Sequence, residues 1–375
     1  MTGFGLTDEQ QAFVEDLRQI ATSVLAPLAA RGEPGHVNRS LVAAMGEHDL
    51  LERVFGTAER KASAMDICLA RETLATVNTD AETALALQGL GSYPFLHFGS
   101  PQTAERWRPA VLAGTAVAAY ALSEPGAGSD AAALSLKAEP DGDGWRLVGE
   151  KAWASNAPEA DVYSVFARTT PGRADGITAF VVAGDAKGLS GEHLDMLAPH
   201  AIGRLTFDGV RVERHDVLGE LDRGFAVAMR TLDLFRPSVG AFAVGMAQAA
   251  LDATIIHTGQ RHAFGKPLHQ QQAVSHALAE MATRTEASRL LVYAAASAID
   301  EGADPAEITK RSAMAKLFAT ESAQFVVDTA VQLHGARALQ RGHLLEHLYR
   351  EVRAPRIYEG ASEVQRTIIG RALTR

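Results

Sequence analysis

The spacing of apolar residues gives the chain three successive textures. Near the start, Phe13, Leu17, Ile20 and Val24 recur at helical intervals behind "TDEQ" at 7 to 10, a capping-box pattern that satisfies the first free amides of a helix. Pro27 and "RGEPGH" at 31 to 36 interrupt it, and helical stretches resume around 38 to 51, 62 to 77 and 101 to 113. Residues 1 to 115 thus read as an N-terminal helical domain.

From 116 to 220 the runs shorten and turn β-prone: "VAAYAL" (117 to 122), "WRLVGEKAWAS" (145 to 155), "DVYSVFAR" (161 to 168), "ITAFVVA" (177 to 183) and "RLTFDGVRV" (204 to 212). "DGDG" at 141 to 144 and "TTPGRADG" at 169 to 176 supply the turns. With no helices between them to carry crossovers, these strands predict a middle antiparallel β domain, a sheet or small barrel. Residues 221 to 375 return to helical spacing after Gly224, broken mainly at "RHAFGKPL" (261 to 268) and "EGADP" (301 to 305). Val274, Leu278 and Met281 share one helical face. Long helices with short connections predict an antiparallel bundle, so the fold class is α+β, mainly α.

With 375 residues, 47% of them hydrophobic, the chain can bury a large core. Its 36 basic against 45 acidic residues, a net charge of -9, argue against nucleic acid as a partner. Cys68 is the only cysteine, which excludes an internal disulfide framework and a thiolate metal cluster and suits a reducing compartment, cytoplasm by default. Between Ile67 and Leu69 it reads as a buried structural residue. "MTGFGLTDEQQAF" lacks the features of a signal peptide, and no run approaches the roughly 20 apolar residues of a membrane span. The 13 histidines are scattered without an HExxH spacing, so no metal is expected, and no GxSxG elbow supports a hydrolase.

Several stretches carry polar groups in patterns that suit a ligand. "ALSEPGAGSD" (121 to 130) follows a strand with Ser123, a Pro-Gly turn, flexible glycines and Ser129. It can present N–H groups and hydroxyls to one ligand, or simply connect two strands. It is not a GxGxxG turn, which removes a Rossmann reading. In "KAWASN" (151 to 156), period-2 alternation sends Trp153 and Ser155 to one side of a strand, where a planar ligand can stack. A buried Trp beside a core serine is the alternative. Arg261 and Phe264 in "RHAFGKP" pair a phosphate-binding cation with a ring, against the alternative of a surface Arg and a core Phe. Asp233 and Arg236 in "LDLFRP" lie at i, i+3 and suit a local ion pair. Glu359 in "IYEGASEVQR" (357 to 366) precedes a glycine, which permits a tight corner facing a cavity or an ordinary surface acid.

In order and spacing, "YALSEPGAGSD" (120 to 130), "WASN" (153 to 156), "RHAFGKPL" with Gln272, "QLHGA" (332 to 336) and "IYEGASEVQR" resemble the acyl-CoA dehydrogenase family of flavoenzymes, over nearly the whole chain. The resemblance implies an N-terminal helical domain, a middle β domain, a C-terminal four-helix bundle and FAD as cofactor. It implies that Tyr120, Ala121, Leu122, Ser123, Gly128 and Ser129 line the flavin, with Ser129 also near the thioester end of the substrate. Trp153, Ala154 and Ser155 would cover its other side, the Ser155 hydroxyl near flavin N5. Arg261, Phe264 and Gln272, with Gln332, Leu333, His334, Gly335 and Ala336, would hold the pyrophosphate and adenosine of a neighbouring subunit's FAD, and Ala361, Ser362 and Glu363 would return to the flavin. Asp233, Leu234, Phe235, Arg236 and Gly360 would meet substrate.

The same resemblance implies that Glu359 abstracts the α-proton of an acyl thioester while the β-hydride goes to flavin N5, leaving a trans-2-enoyl thioester. Electrons would pass to an electron-transfer flavoprotein or to oxygen, and the assembly would be a homotetramer. An acyl-carrier-protein thioester or a related flavin oxidase is the nearest alternative. A non-catalytic flavin-binding module is a further one, opposed by the net charge of -9 and the intact "IYEG". Three positions depart from the family's habit: Ser155 for Thr keeps the hydroxyl, Ala336 for Gly adds a methyl, and Ala361 for Thr loses a hydroxyl. FAD binding is expected to survive all three. "LLERVFGTAERKASA" (50 to 64) looks shorter than the family's Gly-rich connection, which bears on the substrate entrance.

Overall fold

A computed structural model describes residues 5–56 and 62–374. The shortened segment expected at 50 to 64 therefore lies in part outside the described residues. In chain order come α1 (Asp8–Ile20), a π-turn (Ala21–Leu25), α2 (Ala26–Ala29), α3 (Arg39–Glu47), α4 (Leu50–Phe55), α5 (Ala64–Val77), α6 (Thr79–Phe98) and α7 (Pro101–Leu112). The strands follow: β1 (Ala118–Ala121), β2 (Lys137–Asp141), β3 (Gly144–Ser155), β4 (Val162–Arg168), β5 (Ile177–Ala183), β6 (Leu189–His193), β7 (Ile202–Val212) and β8 (Val217–Leu218). Last are α8 (Gly224–Gln260), the hairpin β9 (His262–Ala263) and β10 (Lys266–Pro267), α9 (Gln272–Asp300), α10 (Pro305–His334), α11 (Leu344–Glu351) and α12 (Ser362–Leu373). The expected class and order, helical, β, helical, are the observed ones.

By its contacts the chain divides into two compact units. The first comprises residues 1–26, 63–82 and 233–375. Thr7 caps α1 as the sequence requires, its hydroxyl accepting from Gln10 N while Gln10 Oε1 accepts from Thr7 N at 2.9 Å. The chain stays helical through Pro27 to Ala29, because the π-turn intervenes where a break was expected. The buried stripe runs Phe13, Leu17, Ala21, Leu25 rather than through Ile20 and Val24. Asp300, at the end of α9, accepts from Ser63 Oγ, Ala64 N and Met65 N and so closes the start of α5. Gly240 lets α8 lie close to its neighbours, since a Cβ there would fall 2.7 Å from Val292 Cγ2. Cys68 is fully buried, as read, and burial pushes its thiol up.

The second unit comprises residues 27–62 and 83–232. Its sheet runs β6-β7-β3-β2-β4-β5-β8, with β1 also on β4. The pairing is antiparallel, as expected, except that β1 runs parallel to β4 and β2 meets β4 in one parallel bridge. The β2–β3 hairpin lies between β1 and β4 in the chain and provides the crossover that no helix supplies. Gly142, at φ +64, makes its two-residue turn. Leu147, Tyr163, Val165, Phe180, Phe207 and Val210 form the heart of its core.

α6 is a helix that sequence spacing did not propose, as β6 and β8 are strands it did not. Its Gly89, Gly91 and Pro94 weaken a helical reading, yet Gly91 is required: a Cβ there would lie 2.4 Å from Ala119 N. Gln88, buried on α6, donates to Val111 O and Ala116 O and accepts from Ala118 N, fixing β1. α8 corrects a second expectation. It is long and apolar enough to cross a membrane, but 72% of that stretch is buried within the protein, as in a core helix.

Candidate active site

In the second unit, the loop after β1 is held by a buried ion pair. Lys151, on β3 and wholly buried, places Nζ 2.8 Å from Glu124 Oε1 and 2.9 Å from Leu122 O. Glu124 also accepts from Ser135 N at 2.6 Å, Ser135 Oγ at 2.7 Å and Leu136 N at 2.8 Å. Burial pushes the Glu124 carboxyl up, but Lys151 and these donors outweigh it and hold the group below the usual carboxylate range. Burial lowers Lys151 to about 8 against the attraction of Glu124. The anchored loop turns tightly, Glu124 and Ala127 exchanging both backbone bonds, and Ala152 N donates to Ser123 O. Beyond the turn, Gly128 and Ser129 are exposed, and a Cβ on Gly126 or Gly128 would meet nothing within 4 Å. Tyr120, Ala121 and Leu122 are buried, Tyr120 with its ring 5.1 Å from Phe166.

Trp153 corrects the alternation argument. The β3–β7 register shifts between Lys151 and Ala154, and Trp153 has φ +53, so it and Ser155 do not share a side. Trp153 is 50% exposed while Ser155 is 7% exposed and Ala154 buried. The alternative of a buried Trp fails equally.

In the first unit, Glu359 occupies a left-handed corner with φ +50, followed by Gly360 at φ +91. Gln365 Nε2 donates to Glu359 O at 3.1 Å and to Gly360 O at 2.8 Å, and Lys316 Nζ donates to Gly360 O at 2.8 Å. The residue is half-buried, yet its Oε2 is shielded and has no hydrogen-bond partner among the described residues. Burial raises the carboxyl above its ordinary value, opposed by the charges of Arg71, Lys316 and Arg236. Arg71 is paired with Glu82 and donates to Ser238 Oγ at 2.8 Å. Arg236 meets Asp233 at 2.6 Å, the local ion pair read from their spacing, and Thr309 also donates to Asp233. Leu234 and Phe235 are packed in the core at 7% and 1% exposure. Ser362 donates to Glu321 at 2.5 Å at the start of α12, with Ala361 half-buried and Glu363 exposed.

Elsewhere in this unit, Phe264 is 94% exposed, which removes the core-Phe alternative. Phe264 and Gly265, at φ +54 and +79, form the turn of the β9–β10 hairpin and project the ring. Arg261 and Gln272 flank it, both exposed. Gly335, at φ +64, ends α10 beside exposed Gln332 and Ala336 and half-buried Leu333. His334 stacks on His257 at 4.1 Å and meets His343 edge-on at 5.6 Å. Burial and the neighbouring charges of Arg337 and His343 lower His334 despite its bond to Ala330 O. The histidines, read as scattered, thus group here, and again in the second unit, where His36, Glu159 and His193 converge. There Glu159 is engaged by His36 Nδ1 at 2.8 Å and Val37 N at 2.6 Å.

Family models for the N-terminal, middle and C-terminal domains of acyl-CoA dehydrogenase match residues 7–115, 119–210 and 222–374. The chain belongs to the acyl-CoA dehydrogenase family. It is 34% identical to cyclohexane-1-carbonyl-CoA dehydrogenase of Geobacter metallireducens, over 99% of this chain and 98% of that protein. The butyryl-CoA dehydrogenase structure from Megasphaera elsdenii covers the whole of both chains with TM-score 0.93 and 32% identity. An FAD complex of PigA matches with TM-score 0.93 and 26% identity, covering 100% of this chain and 99% of that one. This dehydrogenase is an oxidoreductase acting on CH–CH bonds, with FAD as cofactor and acyl-CoA as substrate class.

The residues present fit that cofactor. In the second unit Trp153 exposes a ring on which a planar group can stack and the space around Gly126 and Gly128 admits a ligand to the backbone; in the first, Phe264 exposes a ring and Arg261 offers positive charge to phosphates. Sequence reasoning gave no role to Glu124, Lys151, Arg71, Glu82, Lys316 or Gln365. A signal was present for Lys316, which interrupts the otherwise apolar stretch "AMAKLFA" on a helix.

Proposed function

We propose that this dehydrogenase introduces a double bond between Cα and Cβ of an acyl-CoA, with Glu359 as the base that takes the α-proton and a trans-2-enoyl thioester as product. The observation that carries this reading is the Glu359 carboxylate: one shielded oxygen without a partner among the described residues, on a corner whose backbone is pinned, its proton affinity raised by burial. A thioester α-proton is weakly acidic, so a carboxylate with raised affinity is the better acceptor. The backbone N–H of Glu359 donates to the thioester oxygen, where enolate charge develops. FAD supplies the acceptor of the β-hydride, at flavin N5. Ser129 and Ser155 offer hydroxyls toward the cofactor, Asp233 and Arg236 meet substrate, and Arg261, Phe264, Gln272 and the Gln332 to Ala336 segment serve the FAD of a neighbouring copy.

An electron-transfer flavoprotein takes the electrons, and the enzyme works in the cytoplasm as a homotetramer. Exposed Ile255, Ile256, Phe264 and Leu339 on the first unit support self-association. The test is anaerobic flavin bleaching with butyryl-CoA and cyclohexane-1-carbonyl-CoA, the groups named in the relatives above. Glu359→Gln should bind FAD and stay yellow; bleaching at the wild-type rate would remove Glu359 as the base.

A further inference from the structure

Lys316 is a buried cation to which the proposed chemistry gives no part. It lies on α10 with no solvent exposure, and its Nζ bonds to Gly360 O. Gln365, from α12, bonds to the same oxygen and to Glu359 O. The two side chains therefore hold both carbonyls of a corner in which Glu359 takes a left-handed φ of +50. A residue with a side chain persists in that conformation only where its surroundings fix it.

Charge distinguishes Lys316 from its neighbours. Of the three cations acting on Glu359, Arg71 on α5 has Glu82 and Arg236 on α8 has Asp233. Lys316 has no carboxylate in bonding range among the described residues. The groups whose charge it feels are Glu359, Arg236, Glu321 and Glu363. Glu321 is taken by Arg356 at 2.9 Å and by Ser362, and Glu363 faces Arg366 at 3.3 Å. Glu359 is the one carboxylate among them without a counter-ion of its own. Burial lowers Lys316 to about 8, which leaves it mostly protonated at neutral pH.

We propose that Lys316 is a positioning residue for Glu359: it fixes the left-handed corner through the Gly360 carbonyl and supplies the positive charge that keeps the adjacent carboxylate ionised. This rests on Glu359 being the base. The rate of anaerobic flavin bleaching by butyryl-CoA, followed against pH, tests it in wild type, Lys316→Met, Lys316→Arg and Gln365→Leu, with Glu359→Gln alongside. Removing the charge should make Glu359 harder to ionise, so in Lys316→Met the acid limb of the profile moves up by about one pH unit or more. Lys316→Arg should leave the limb in place, and Gln365→Leu should lower the rate without moving it. Should Lys316→Met fail to fold with FAD, Lys316→Gln carries the same expectation. A limb that coincides with wild type in the neutral variants, or that moves equally in Lys316→Arg, overturns the proposal while Glu359→Gln remains inactive. If Glu359→Gln bleaches normally, the base reading and this inference fall together.

Discussion

Glu124→Ala should destabilise the protein by about 3–5 kcal/mol, the usual cost of removing one partner from a buried ion pair. The carboxylate accepts four bonds, from Lys151 Nζ, Ser135 N, Ser135 Oγ and Leu136 N, at 2.6 to 2.8 Å. Truncation leaves the buried ammonium with Leu122 O alone and strips Leu136 N of its acceptor. Lys151→Met leaves the carboxylate its other three donors and should cost less, about 1–3 kcal/mol. The double variant removes the stranded charge, so it should lose no more than Glu124→Ala alone rather than the sum. Urea unfolding of the FAD-loaded protein, followed by tryptophan fluorescence, measures all three. Losses below about 1 kcal/mol for Glu124→Ala, or strict additivity in the double variant, would refute the assigned coupling.

The pair also sets a pH signature. Lys151 is lowered from its ordinary 10.5 to about 8, so between those values the unfolded chain binds more protons and stability rises with pH. Glu124 is lowered from its ordinary 4.5, so its contribution is present above that value and is lost as pH falls through the depressed one. Lys151→Met should flatten the alkaline rise and leave an acid loss, read from unfolding midpoints across pH.

Two smaller predictions probe the elements that carry these groups. Gly91→Ala sets a Cβ 2.4 Å from Ala119 N, backbone that cannot swing aside, and should lower the thermal midpoint by the equivalent of about 1–3 kcal/mol; an unchanged midpoint would mean that α6 and β1 have slack. Thr7→Ala removes the capping bond to Gln10 N and should cost about 1 kcal/mol, with faster hydrogen exchange confined to the first turn of α1.

What the sequence made legible follows from which interactions are local. Alternation and turn glycines placed β3, β4, β5 and β7, and the Thr7 box placed α1, because their signals lie within a few residues. α6 escaped because its glycines look like breakers until β1 is packed against one of them and a ring of Phe55 against another. Trp153 escaped for the opposite reason: strict alternation holds only where the ladder is regular, and a register shift reversed its side. Phe264 was legible as a ring near Arg261 at a break between helices, but its near-total exposure reflects a two-residue hairpin with Gly265, which reverses the chain and projects the ring.

Glu359 shows why a motif can place a residue without giving its chemistry. The "YEG" letters specify an acid at a permissive corner, and nothing in them raises or lowers its proton affinity. Burial alone would favour the protonated, inactive carboxyl, whereas three unopposed cations would leave a carboxylate too weak as a base. The balance comes from Arg71, Arg236 and Lys316, carried on α5, α8 and α10, each far from the corner in the chain. Glu82 and Asp233 draw off part of the charge of the two arginines. The lysine, whose Nζ bonds to the corner's own backbone, couples the carboxylate's ionisation to its aim. Loss of the lysine should therefore alter the proton affinity as well as the position of the base, whereas loss of Gln365 should alter the position alone.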